Sequence, residues 1–142
     1  MGALSFDKQK IDKRLIPSLI KSIKHRGPNH DGSWISNNQS VLLINTRLSI
    51  LDLTSKGNQP FYSKDKRYVI VFNGEIYNFK DLKKNLKEFK FHSETDTEVL
   101  LYLFIKYKSK CLKMLEGMFS FAIYDNYKDE LFCARDHFGI KP

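Results

Sequence analysis

Residues 119–134 read FSFAIYDNYKDELFCA. Two runs rich in aromatic and apolar side chains, 119–124 and 130–134, flank a polar stretch at 125–129. That pattern predicts a hairpin of two antiparallel strands. Upstream, a short helix is expected over 110–116, closed by Gly117. Thr95 and Glu98 stand at capping-box spacing, and Val99, Leu100, Leu103 and Phe104 form the apolar stripe of the helix they open. Another helix is expected over 79–88, with Leu82, Leu86 and Phe89 on one face. Residues 41–44 and 68–72 read as strands, and 3–6 as a short one. Ile16, Leu19, Ile20 and Ile23 recur at helical spacing, Pro17 suits a first turn, and Gly27-Pro28 stops that helix near His25. Residues 29–38 read as a loop or hairpin. An apolar island at 48–53 runs into a loop closed by Gly57 and Pro60. The sum is one α+β domain with antiparallel strands and no internal repeat or interior linker.

Composition narrows the class. The 142 residues are 42% hydrophobic and 28% charged, as in an ordinary folded domain large enough to need no covalent staple. No apolar run approaches the length of a membrane span. Asp7, Lys8, Lys10 and Asp12 interrupt the start before a signal peptide's apolar region could form. Gly2 has Phe6 where myristoylation wants Ser or Thr. A soluble, cytoplasmic domain without a membrane partner is expected. Cys111 and Cys133 make no CxxC pair and the four histidines have no ligand spacing, so two buried thiols and no metal are expected. Of the 24 basic residues behind the net charge of +8, 19 are lysine, whereas base reading favours arginine. The densest basic run, 80–90, keeps its lysines off the apolar face of its helix. No nucleic-acid partner is expected.

Three polar groups stand near strand ends, where loops carry chemistry. Arg47, in RLSIL, can grip a carboxylate with two parallel hydrogen bonds or serve as a structural salt bridge. Asn73-Gly74-Glu75, in VFNGEIYN, is a turn signal, yet an amide NH₂ beside a free backbone N–H is also the donor pair of an oxyanion hole. Asp96, in TDTE, can be a helix N-cap or a charge partner. Spacing alone names no reaction: there is no phosphate-cradling loop, no GxGxxG opening a helix and no local nucleophile triad.

Taken together the words are more specific. HRGPNHDG (25–32), RLSILDL (47–53), NQPF (58–61), VFNGEIYNF (71–79), TDTEVLL (95–101), LEGMFSFAIYD (115–125) and CARDHFGIKP (133–142) occur in the order and spacing of one family. The sequence resembles the glutaminase domain of glutamine-hydrolysing asparagine synthetases, the class II amidotransferases with an N-terminal nucleophile. The resemblance covers nearly the whole chain. It implies a four-layer αββα sandwich of two antiparallel sheets. It implies hydrolysis of the glutamine side-chain amide, with the ammonia passed to a C-terminal synthetase domain, in cis or in trans, that uses ATP and magnesium to amidate aspartate. No cofactor is implied for these 142 residues themselves.

The same resemblance assigns the L-glutamine contacts to Arg47, Leu48, Ser49, Ile50, Leu51, Asn73, Gly74, Glu75 and Asp96. Arg47 would hold the α-carboxylate, Asn73 and Gly74 N–H would form the oxyanion hole, and Glu75 and Asp96 would surround the α-ammonium. Three departures stand against the pattern. The family opens Met-Cys-Gly-Ile, its cysteine attacking with its own α-amine as base, whereas here Met1 is followed by Gly2. Residues 1–142 are thus expected to be a type-2 amidotransferase domain lacking the family's first few residues, a truncated or inactive copy. No pyrophosphate-binding loop follows, so the synthetase domain is absent from the sequence. Asn29 and Asn58 replace Asp and His. A non-catalytic glutamine-binding or docking module is the alternative reading. Oligomeric state is left open.

Overall fold

The computed structural model describes every residue except Met1, Phe6 and Lys8. Two antiparallel sheets lie face to face. The first has the order β1 (Gly2–Leu4), β3 (Val41–Arg47), β2 (His30–Ile35); the second runs β4 (Phe61–Tyr62), β5 (Tyr68–Ile76), β6 (Gly117–Asp125), β7 (Glu130–Arg135). Helix α1 (Ile16–Ile23) packs on β3. Helices α2 (Phe79–Lys84) and α3 (Asp96–Tyr107) cover the outer face of the second sheet. The layers follow the αββα order that the resemblance implies, and among the described residues no helix is long and apolar enough to cross a membrane.

Alternation along the strands builds these layers. On β5, Tyr68, Ile70 and Phe72 join Phe119, Phe121 and Ile123 of β6 in a core shared with α2 and α3. The intervening Val69 and Val71 turn the other way and meet Val41 and Leu43 of β3, with Tyr124 of β6, between the sheets. At one end the sandwich is tied shut. Asn38, in the β2–β3 turn, donates to the Asp129 carboxylate at 3.0 Å, and Tyr124 Oη donates to the same carboxylate. The opposite end, where β3, β5 and β7 finish and β6 begins, stays open.

Several expected boundaries move. The hairpin of 119–134 is present as β6 and β7, and 29–38 resolves into β2 and a tight turn. The strand expected over 3–6 is Gly2–Leu4, with Phe6 outside the described residues. Helix α2 stops at Lys84 rather than near 88, because Asn85 caps it. The helix expected over 110–116 is a 3₁₀ run, Lys108–Met114, and Gly117 opens β6 instead of closing a helix. The strand expected over 68–72 continues to Ile76. No turn exists at Asn73-Gly74: β6 pairs with β5 through nine consecutive residues, and that ladder outweighs the local turn preference.

Candidate active site

The open end of the sandwich is a cleft of about 1200 Å³ between the sheets. Arg47, Leu48, Ile50, Leu51, Asn73, Gly74, Glu75 and Asp96 all line it. Ser49 faces a smaller adjoining hollow across Arg47, with its N–H donating to Asn29 Oδ1 at 3.0 Å. Side chains from three distant words of the sequence are therefore brought to one place.

The free edge of β5 organises the centre. β4 covers that edge only opposite Val69 and Ile70, and the backbone ladder ends there. Side chains take over from there. Gln59 Oε1 accepts from the Phe72 N–H at 2.6 Å, and Asp96 Oδ2 accepts from the Ile76 N–H at 3.0 Å. Alternate N–H groups of a strand share an edge, so the Gly74 N–H lies between these two. Phe119, its cross-strand partner, turns its own N–H and carbonyl toward Asp136. No acceptor faces the Gly74 N–H among the described residues. The neighbouring Asn73 side chain is exposed on the cleft. A carbonyl oxygen entering here would find a backbone N–H beside an amide NH₂, a donor pair suited to a developing oxyanion.

Glycine is required at position 74 on steric grounds. A Cβ there would stand 2.2 Å from the Met118 carbonyl oxygen and 2.7 Å from the Phe119 Cα.

Asp96 is the first residue of α3 rather than its cap; Thr95 caps the helix, its Oγ1 accepting from the Glu98 N–H. Glu98 does not complete the capping box. It is fully buried and accepts instead from the N–H groups of His92 and Ser93 and from the Ser93 hydroxyl. Asp96 is 5% exposed. Burial pushes its pKa up to about 6, and the nearby Glu75 carboxylate adds to the rise, against the N–H groups of Ile76 and Thr97 that favour the ionised form. A carboxylate so placed gains most from a cation brought into the cleft.

Arg47 is 8% exposed and ends β3. One terminal nitrogen donates to the Thr54 carbonyl at 2.8 Å and to Asn58 Oδ1 at 2.9 Å. The other donates to the Leu51 carbonyl at 3.0 Å and to the Asp52 carbonyl. The guanidinium thus holds the 51–58 loop in shape from inside. Leu48 and Ile50, between Arg47 and that loop, are 56% and 62% exposed at the rim of the cleft. Asn58 braces this loop through Arg47, and Asn29 braces the stretch before it through Ser49.

Cys133 also lines the cleft and is exposed, so the expectation of two buried thiols holds only for Cys111. Desolvation raises both thiols, Cys111 to about 11. Neither has the free α-amine that an N-terminal nucleophile uses as its base. Gln59 and Thr97, which tie the site together, carried no assigned role in the sequence, although NQPF and TDTE were both recognisable words.

A family model described as a glutamine amidotransferase domain matches residues 1–142. The chain belongs to the glutamine amidotransferase family. This amidotransferase domain is 43% identical over 127 residues to asparagine synthetase [glutamine-hydrolyzing] 2 of Oryza sativa, covering 89% of this chain and 21% of that protein. It is 42% identical over 132 residues to asparagine synthetase [glutamine-hydrolyzing] 1 of Bacillus subtilis, covering 92% and 20%. Amidase chry2 of Gibberella zeae is 39% identical over 139 residues, covering 97% and 21%. The domain thus spans about a fifth of the length of these relatives. Among solved structures, the glutamine phosphoribosylpyrophosphate amidotransferase of B. subtilis superposes with a TM-score of 0.61 at 25% identity, covering 72% of this chain and 24% of that one.

Proposed function

We propose that this domain binds L-glutamine in the inter-sheet cleft as the glutaminase part of an asparagine synthetase. The ammonia it releases would be used by a synthetase domain, in cis or in trans, to amidate aspartate. ATP and magnesium belong to that second domain in this reading, and no residue of this chain is assigned to them. The observation that carries it is the Gly74 N–H, without a partner among the described residues, set between Gln59 and Asp96 on the edge of β5. In the proposed complex the side-chain carbonyl approaches Gly74 N–H and the Asn73 amide. The α-ammonium meets Asp96, with Glu75 beside it. Arg47, through its charge, and the neighbouring residues 48–51 receive the α-carboxylate, while the Arg47 terminal nitrogens keep the 51–58 loop in place.

The nucleophile in this reading is a cysteine running ahead of Gly2. β1 pairs antiparallel with β3, Gly2 facing Leu43, and each residue added upstream advances one position along β3. A cysteine four residues ahead of Gly2 would stand opposite Arg47, at the mouth of the cleft. Asn45 Oδ1, buried with no partner among the described residues, lies along that same stretch of β3. A titration of the ¹⁵N-labelled domain with L-glutamine tests the binding step. The Gly74 and Thr97 amide resonances should shift together and saturate at millimolar ligand. Shifts absent at both positions in a folded sample would remove the glutamine site. Saturable binding without turnover, even behind a processed cysteine, would favour the non-catalytic module.

A further inference from the structure

The geometry points to Gln59 as a positioning residue that sets the separation between the Gly74 donor and the Asp96 carboxylate. This inference rests on the glutamine site proposed above. Gln59 is 8% exposed and uses both ends of its side-chain amide. Its Oε1 takes the Phe72 N–H at 2.6 Å, and its Nε2 donates to Thr97 Oγ1 at 3.3 Å. Phe72 immediately precedes Asn73, and Thr97 immediately follows Asp96. One side chain therefore joins the strand that carries the oxyanion donors to the helix turn that carries the ammonium partner.

Continued register explains why a side chain is needed. Phe61 faces Ile70 and Tyr62 faces Val69, so two further steps along β4 would put Gln59 opposite Phe72. The ladder stops at Phe61, before that point, and the Gln59 amide oxygen stands in for the missing carbonyl. A full strand here would run on across Gly74 and cover its N–H. A side chain satisfies Phe72 alone and leaves the next N–H on that edge open. The segment is held from the other side as well, since a Cβ on Gly32 would lie 2.2 Å from the Gln59 carbonyl oxygen. With the Asp96–Ile76 bond at the far end, β5 and α3 are cross-linked on both sides of Gly74. A ligand with an amide at one end and an ammonium at the other must fit that fixed span.

The test compares L-glutamine with L-norvaline, which keeps the α-ammonium, the α-carboxylate and a three-carbon chain but has no amide. The parent domain should prefer glutamine about fivefold, the worth of one retained hydrogen bond. Thr97→Val keeps the Phe72 bond and cuts only the link to α3. It should bring the preference near one while norvaline affinity stays unchanged, and Thr97→Ser should restore it. Gln59→Leu should do the same with an added loss of stability, since it leaves the Phe72 N–H buried and unpaired. An unchanged preference in Thr97→Val, or equal weakening of both ligands, would overturn the positioning role. A parent domain that binds the two ligands equally would overturn the glutamine site itself.

Discussion

The Asp96 carboxylate accepts a hydrogen bond from the Ile76 N–H across 3.0 Å, which ties the first turn of α3 to the last residue of β5. The bond does not offset the burial of the charge, which still pushes the carboxyl pKa up to about 6. Asp96 is thus held in a state that the fold alone does not favour, as expected of a group waiting for a cation.

Its replacement should therefore stabilise the empty domain. A carboxyl whose folded pKa is raised contributes stability that is complete below about pH 4 and is lost as the pH climbs through 6. Asp96→Asn retains an acceptor for Ile76 and carries no charge. At pH 7.5 it should gain up to about 3 kcal/mol, two pKa units at ~1.4 kcal/mol each, and near pH 4 the gain should vanish. Thermal melts of both proteins at the two pH values check this. The same variant should lose L-glutamine affinity. Lower stability than the parent at pH 7.5 would mean that Asp96 serves only the helix.

Glutamine binding should follow the same titration in the opposite sense. As the pH falls through 6, Asp96 takes up a proton and its attraction for an ammonium disappears. Affinity measured from pH 5 to 7.5 should rise by about tenfold and level off above 7. A flat profile would remove Asp96 from the ligand.

Arg47→Lys should loosen the cleft wall as well as weaken binding. A lysine cannot serve the Leu51, Asp52 and Thr54 carbonyls and Asn58 Oδ1 from two fixed nitrogens. A loss of about 2–4 kcal/mol is expected from several weakened hydrogen bonds at 1–3 kcal/mol for each group left unpaired. Amide exchange over residues 48–58 should quicken while α3 keeps its protection. Unchanged exchange in that loop would contradict the bracing role.

Gly74→Ala should be among the most damaging single substitutions. The new methyl meets backbone from β6 rather than a side chain that can swing aside, so β5 and β6 must separate. A loss above ~3 kcal/mol is expected, read from the denaturation midpoint. A midpoint close to the parent's would show that the strand pair is looser than described.

Periodic features were the legible part of this fold. α1 and α3 were readable because their apolar residues repeat at helical spacing, and β6–β7 because two apolar runs flank a polar turn. Asn73-Gly74 misled because the pair is a turn signal in isolation, while a nine-residue ladder with β6 extends the strand through it. The cleft residues were named from the family words. Their geometry was not, because the bonds that create it join positions far apart in sequence. Gln59 reaches Phe72 and Thr97, and Arg47 reaches a loop that has little regular structure of its own. Local spacing carries no record of such contacts. The exposure of Cys133 escaped for the same reason, since its place beside an open cleft depends on how the two sheets part.

Ammonia release from L-glutamine is the most direct measurement of the central claim, made on two forms of the domain. The first is the 142-residue chain as it stands; the second carries Cys-Gly-Ile and one apolar residue directly ahead of Gly2, with its initiator methionine removed. The second should turn over glutamine. The first should show none above background, because losing a nucleophile removes most of the rate in comparable enzymes, on the order of a million-fold in one protease. Within the second form, Asn73→Ala should lower kcat about 10²–10³-fold with KM nearly unchanged, as for loss of an oxyanion donor. Equal turnover by the unmodified chain, or an inert cysteine form that folds and still binds glutamine, would contradict the account.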